Sequence, residues 1–271
     1  MKHDPALIRD LTRVANLLAD AAGAAILPFF RSADLSTDNK LAQGYDPVTQ
    51  ADRAAETAMR AILAAERPDD AVFGEEFGRT DGSSGLVWVL DPIDGTRAFV
   101  SGTPTWGVLI AVGGQRGPFI GVVDQPYTAE RFIGTPDGAF LFRADQRRAI
   151  ATRSARPLSE AIVFTTFPEV GSPQERAAFE AVSAGAMLTR YGMDCYAYAL
   201  LAAGQIDLVI EAGLQAYDIQ GPLALIHAAG GIVTDWQGGP AHEGGRVLAA
   251  ANPQIHAEAL ALLGHSIKTD A

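Results

Sequence analysis

The chain is expected to fold as an α/β (α+β) protein in which layers of helix and layers of sheet alternate. Three features carry that expectation: two helical segments before Pro68, short apolar runs broken by turn clusters between Ala71 and Phe142, and strand–helix alternation after about Arg153. With 271 residues, 48% of them apolar and 20% charged, the chain is long enough to bury a substantial core.

The first helix is announced at Asp4-Pro5, where a capping carboxylate precedes proline at the first helical position. Leu7, Leu11, Val14, Leu18, Ala22, Ala25 and Phe29 then recur at helical spacing. The polar stretch from Ser32 to Asp46 reads as a long mobile loop, of a kind that is often functional. A second helix is expected from about Thr49 to Glu66, ended by Pro68. Ala71 to Phe73 and Leu86 to Leu90 read as buried strands. Val108–Val112, Phe119–Val123, Arg131–Gly134 and Ala139–Phe142 follow, separated by turn clusters such as Pro136-Asp137-Gly138, which is the signature of an antiparallel sheet.

Beyond Arg153 the pattern is strand Ile162–Thr166, a helix opened by Ser172-Pro173, a strand over 187–190, and a helix from Asp194 closed by Gly204. It continues with strand Ile206–Ile210, helix Ile219–Ala229, strands Ile232–Thr234 and Val247–Ala251, and a last helix from Pro253 to Leu263. The basic, polar stretch Gln146–Pro157 marks the expected boundary between an N-terminal α+β half (1–150) and a C-terminal α/β half (151–271).

A net charge of -11 disfavours nucleic acid and anionic membrane as partners, since both select basic surfaces. It equally repels a phosphorylated substrate unless cations intervene. Cys195 is the only cysteine, so no intrachain disulfide is possible. Charged residues interrupt the N-terminal segment, and no apolar run reaches membrane-spanning length, so a soluble, cytoplasmic protein is expected.

The densest chemical signal is Trp88-Val89-Leu90-Asp91-Pro92-Ile93-Asp94-Gly95-Thr96. An apolar strand ends in one carboxylate and a second follows three residues later. Pro92 stiffens the link and Gly95 permits a sharp turn. If Thr96 starts a helix, the N–H groups of Gly95 and Thr96 are available to an anion. Taken alone, this is also the pattern of a strand followed by an Asp-Gly turn. Further acids stand at element ends: Glu75 after a short strand, Asp52 early in a helix, and Asp218 before Ile219. Each has a plain structural use, as loop, dipole partner or helix cap. Together they make an oxygen-rich set suited to Mg²⁺.

Gly74-Glu75-Glu76, Asp91-Pro92-Ile93-Asp94-Gly95-Thr96 and Tyr217-Asp218 resemble the inositol monophosphatase family of metal-dependent phosphatases. So do Asp46-Pro47-Val48-Thr49-Gln50-Ala51-Asp52 and Gly230-Gly231, so the likeness runs from Lys40 to about Asn252. The family often has Trp where Tyr217 stands. The resemblance implies a layered αβαβα sandwich and two to three Mg²⁺ ions. Glu75, Asp91 and the Ile93 carbonyl would hold the first ion. Asp91, Asp94 and Asp218 would hold the second, and Glu75 would help with a weaker third. Asp52 and Thr96 would orient the attacking water, with Glu75 beside them. The Gly95 and Thr96 N–H groups would receive phosphate oxygens, Lys40 would lie near the site, and a homodimer is implied.

Within the family, Gly192-Met193-Asp194-Cys195-Tyr196-Ala197-Tyr198, Asp207 to Glu211, and Phe99 to Pro104 resemble the histidinol-phosphate phosphatase branch. That ester carries an ammonium and an imidazole, which suit acidic partners. Asp194, Glu211 and Arg190 are the expected substrate contacts, with helix capping the competing role for Asp194. Inositol 1-phosphate is the alternative substrate. A haloacid-dehalogenase-type phosphatase would need its two acids two apart rather than three. A metal-binding module without turnover would have no use for a water-orienting pair.

Overall fold

The computed structural model describes residues 4–33, 35, 37–39 and 47–268. Lys40, Asp46 and much of the stretch read as a long loop lie outside the described residues.

Helix α1 (Pro5–Ile26) starts where Asp4 accepts a hydrogen bond from the Ala6 N–H at 2.9 Å. Strands β1 (Thr37–Asn39) and β2 (Pro47–Thr49) pair antiparallel, too short to show a hydropathy period. Helix α2 (Gln50–Glu66) follows directly. Then come β3 (Ala71–Gly74), β4 (Gly78–Thr80), β5 (Val87–Asp94), the short α3 (Thr96–Ser101), β6 (Gly107–Gly114), β7 (Gly117–Gln125), β8 (Glu130–Thr135), β9 (Gly138–Arg143) and β10 (Gln146–Ile150). They form an eight-stranded sheet in the order β10-β9-β8-β7-β6-β5-β3-β4.

Two expectations need correction here. The sheet is not wholly antiparallel, because β3 and β5 run parallel. The chain turns back through β4 at the sheet edge and re-enters in its original direction. The stretch from Gln146 is not all linker either. Its first five residues are β10, whose exposed polar side chains are those of an edge strand.

The remaining elements are β11 (Ile162–Thr165), α4 (Pro173–Ser183), β12 (Leu188–Tyr191), α5 (Tyr196–Ala202), β13 (Leu208–Leu214), α6 (Ala216–Ala228), β14 (Ile232–Thr234), β15 (Gly245–Ala250) and α7 (Pro253–Lys268). A second sheet of five strands has the order β12-β11-β13-β15-β14. Helices α1 and α2 cover one face of the large sheet. Helices α5 and α6 fill the space between the sheets, and α4 with α7 cover the outer face of the small one. The order is therefore αβαβα.

Strand alternation sorts the core. On β6, Val108, Ile110 and Val112 join the cluster under α1 and α2, whereas Leu109 joins the central one. On β13, Leu208 and Ile210 face α4 and α7, and Val209 faces inward. The central cluster draws on β6 to β9 as well as on α5, α6, β13 and β15, so both halves of the chain share it. No helix among the described residues is long and apolar enough to cross a membrane.

Helix α6 approaches the large sheet through glycines. A Cβ at Gly134 would lie 2.4 Å from the Leu225 Cα, and one at Gly121 would lie 2.1 Å from the Gly221 carbonyl oxygen. Gly134→Ala is therefore expected to cost about 1–3 kcal/mol, because backbone must move. A urea denaturation midpoint measures it. An unchanged midpoint would mean that helix and sheet part without cost.

Candidate active site

The parallel register of β3 on β5 pairs Gly74 with Leu90, and the Glu75 N–H continues the ladder by donating to the Leu90 carbonyl at 3.1 Å. Glu75 therefore stands beside Asp91. On the other side of β5, Asp91 pairs with Leu109 but Asp94 with Gly107. Three steps on one strand match two on its neighbour, which is a bulge of one residue. In a regular strand, residues three apart face opposite sides. The extra residue resets the phase, so both acids reach one point. The strand thus runs on to Asp94 instead of ending at Asp91. Helix α6 brings Asp218 from the other half of the chain. Asp218 closes a capping box, accepting from the Gln215 N–H at 2.7 Å. One carboxylate oxygen from each of Asp91, Asp94 and Asp218 lies within 4.8 Å of the others.

Asp91 is 1% exposed. Burial, then the charges of Glu75, Asp94 and Asp218, push its carboxyl well above the usual range. Asp94 is raised in the same direction by burial and by Asp218 and Asp194, against a hydrogen bond of 2.7 Å from the Cys195 N–H. Packed carboxylates of this kind carry a desolvation and repulsion cost that a cation offsets. An all-oxygen donor set fits a hard divalent ion.

Gly95 precedes α3 with φ of 82°, and a Cβ there would lie 2.8 Å from the Asp194 Cβ. Both the left-handed backbone and the close approach require glycine. The Thr96 hydroxyl donates to the Ile93 carbonyl at 3.1 Å. Glu75, Ile93, Gly95 and Thr96 line the same cleft, of about 380 Å³, as the three aspartates. Asp52 is 1% exposed and is not among the residues lining this cleft. It accepts from the Thr49 N–H at 2.8 Å and the Thr49 hydroxyl at 2.6 Å, while its Oδ1 is buried without a hydrogen-bond partner. Burial, opposed by the Thr49 bonds and helped by the charges of Glu76 and Glu75, pushes its pKa up to about 7.

The Glu75 loop is held from below by Glu56, which is fully buried. Glu56 accepts from the Glu76 N–H at 2.7 Å, the Phe77 N–H at 3.3 Å and the Arg60 Nε at 2.7 Å. Gly74 is what admits it, since a Cβ there would lie 2.0 Å from the Glu56 Oε1.

A second acidic group occupies the far side of the cleft. Asp194 does not cap α5, whose N-terminus has no side-chain cap. It sits in the left-handed region at φ of 45° and accepts from the Thr105 hydroxyl at 2.9 Å. Burial raises its pKa, and the Thr105 bond and the charge of Arg97 oppose this. Glu211 accepts from the Thr165 hydroxyl at 3.2 Å, the Thr166 N–H at 2.7 Å and the Thr166 hydroxyl at 2.8 Å. Burial nevertheless pushes its pKa up to about 7. Arg190 requires a correction. It lies on β12, an edge strand of the small sheet, paired with Phe164 of β11; it is exposed and stands outside the cleft. Lys40 lies outside the described residues. The cleft also contains Arg97, Thr166, Phe167, Cys195 and Tyr198. Of these, Cys195 and Tyr198 carried a signal in the sequence, as members of the branch-like motif. Phe167, half exposed, lies under the Arg97 guanidinium at 4.9 Å.

Residues 8–268 match the model of the inositol monophosphatase family. The chain belongs to that family. It is accordingly a metal-dependent phosphoric monoester hydrolase, and its acidic cluster can hold the metal. The chain is 40% identical to the bifunctional phosphatase IMPL2, chloroplastic, of Arabidopsis thaliana, over 91% of this chain and 73% of that protein. It is 35% identical to a histidinol-phosphatase of Streptomyces coelicolor, over 96% of this chain and 98% of that one. Among solved structures, an inositol monophosphatase from Zymomonas mobilis superposes with a TM-score of 0.83 at 39% identity, covering 94% of this chain and 98% of the other. The fold expected from the resemblance, a layered sandwich, is the fold of the family.

Proposed function

We propose that this family member hydrolyses L-histidinol phosphate to L-histidinol and phosphate, a step of histidine biosynthesis. The observation that carries the reading is a further pair of carboxylates, half-buried Asp194 and buried Glu211, lining the same cleft as the metal-type cluster. An ammonium-bearing leaving group satisfies such anions through charge-assisted hydrogen bonds, which a neutral polyol does less well. Likeness to the Streptomyces histidinol-phosphatase over nearly the full length of both proteins supports it. The net charge of -11 favours a small substrate over nucleic acid or anionic lipid.

Two to three Mg²⁺ ions would be held by Glu75, Asp91, the Ile93 carbonyl, Asp94 and Asp218, and bound there they supply charge neutralisation and water activation. The chain's own residues do the rest. The Gly95 and Thr96 N–H groups receive phosphate oxygens at the start of α3. Thr96 and Asp52 orient the attacking water, and a carboxyl poised near neutrality, as Asp52 is, exchanges a proton readily at that pH. Water oxygen bonds to phosphorus, the ester P–O bond breaks, and the departing alkoxide takes up a proton. Asp194 and Glu211 fix the leaving group so that this displacement is in line.

The test is phosphate release from histidinol phosphate, inositol 1-phosphate and a nucleotide monophosphate, with wild type and Asp194→Ala. Wild type is expected to prefer histidinol phosphate. Asp194→Ala is expected to lower kcat/KM on it by roughly tenfold or more, the loss of a charged hydrogen bond, and to spare inositol 1-phosphate. Equal losses on both esters argue against the reading. The second reading, inositol 1-phosphate, draws on the Zymomonas relative.

A further inference from the structure

Tyr198 lies in α5 with its ring in the central core and its residue only 3% exposed. The hydroxyl is buried and has no hydrogen-bond partner among the described residues. Yet the residue lines the active-site cleft. The carboxylate whose charge acts on it most is Glu211, followed by Asp94 and Asp218. The cleft it lines holds both the metal-side acids and those of the leaving-group side. Packing explains the ring but not the oxygen, since phenylalanine would fill the same core without burying an unpaired polar atom. A hydroxyl kept under those conditions is used by something that enters the cleft.

The acceptor count around the leaving group indicates what that is. Glu211 already accepts three hydrogen bonds from Thr165 and Thr166, and Asp194 accepts one from Thr105. An ammonium brings three N–H donors and is well bound only where three acceptors meet it. Asp194 and Glu211 supply two acceptor groups, and a third group would complete the set. We propose that Tyr198 is a specificity-determining residue whose phenol oxygen is the third acceptor for a cationic amine on the leaving group. A tyrosine oxygen suits the place because a third carboxylate would add to the repulsion already stored there. This rests on the substrate reading given above, and it concerns binding and selectivity, with no role in the bond-breaking step.

The experiment uses Tyr198→Phe in the full-length protein loaded with Mg²⁺. Phosphate release is measured on histidinol phosphate and on glycerol 2-phosphate, a neutral-alcohol ester, with the thermal midpoint of the substrate-free protein alongside. On histidinol phosphate, kcat/KM is expected to fall about tenfold, mainly through KM, as for a lost hydrogen bond to a charged group. The neutral ester should change less than about twofold, and the midpoint should hold or rise because an unpaired polar atom is gone. A lower midpoint with unaltered substrate preference would show a packing role and overturn the proposal. So would equal losses on both esters. If wild type prefers histidinol phosphate and the variant keeps that preference, the Tyr198 proposal alone falls. If wild type prefers the neutral ester, the substrate reading falls and takes the proposal with it.

Discussion

Asp91→Asn is expected to abolish phosphate release, lowering kcat/KM by roughly a thousandfold or more, about 4 kcal/mol of transition-state stabilisation. Asp91 is the one acid adjacent to all the others: Glu75 flanks it across the parallel ladder, and Asp94 and Asp218 converge on it. Asparagine keeps the shape and the hydrogen bond that one side-chain oxygen accepts from the Ile93 N–H at 3.0 Å. It removes the negative charge that a bridging cation site needs. Two readouts separate this from misfolding. The rise in melting temperature caused by added Mg²⁺ should largely disappear, because ligand stabilisation follows affinity. The metal-free protein should be at least as stable as wild type. A carboxyl raised in the folded state destabilises the fold once ionised, and removing it relieves that cost at every pH above its unfolded pKa. Near-normal turnover of the variant in excess Mg²⁺ would sink the metal assignment.

Glu56→Ala is the second large effect, and it touches no substrate. Its carboxylate is fully buried, pairs with Arg60, and accepts both N–H groups that follow Glu75. Arg60 in turn donates to the Gly78 carbonyl and, at 3.1 Å, to the Thr80 hydroxyl. Truncation leaves a partly buried guanidinium and two N–H groups unsatisfied, which costs about 3–5 kcal/mol. It also unties Glu75, so the Mg²⁺ concentration for half-maximal activity should rise severalfold, with weaker Mg²⁺ binding by calorimetry. Glu56→Gln keeps one carbonyl acceptor and should lose less on both measures. A Glu56→Ala protein that folds and keeps the wild-type Mg²⁺ dependence would show that the loop positions Glu75 unaided.

How much of this could be read from the chain differs by residue. The acids at positions 75, 91, 94 and 218 stood out in the sequence because each lies in or beside an element whose period is clear, although the strand expected to end at Asp91 runs on to Asp94. The helix starts at Asp4 and Ser172 were legible because capping is local chemistry, and both caps form. Pairing direction was not legible: β3 and β5 are parallel because of a three-residue edge strand too short to carry a pattern. The edge strand at Gln146 looked like linker because edges and linkers are both polar. For Asp194 a helix cap competed with a substrate contact; it is a left-handed residue lining the cleft, held by Thr105, eighty-nine positions away. Arg190 looked close to the site in sequence, yet the sheet order places its strand at the far edge. Such placements are set by tertiary packing, which no local window contains.

The single-residue bulge in β5 makes the segment between the two aspartates a ruler. Substitution at position 93 is confined to apolar side chains, because Ile93 is fully buried in the core beneath α1 and α2. The segment's length is another matter. Removing one residue would restore the strand's regular beat and keep both acids on one face, but it would pull the corner at Gly95 back from its place against Asp194. Adding one would carry the glycine corner away from its groove against Asp194. Drift in this stretch is therefore confined to letters, and the count between the acids is fixed by geometry.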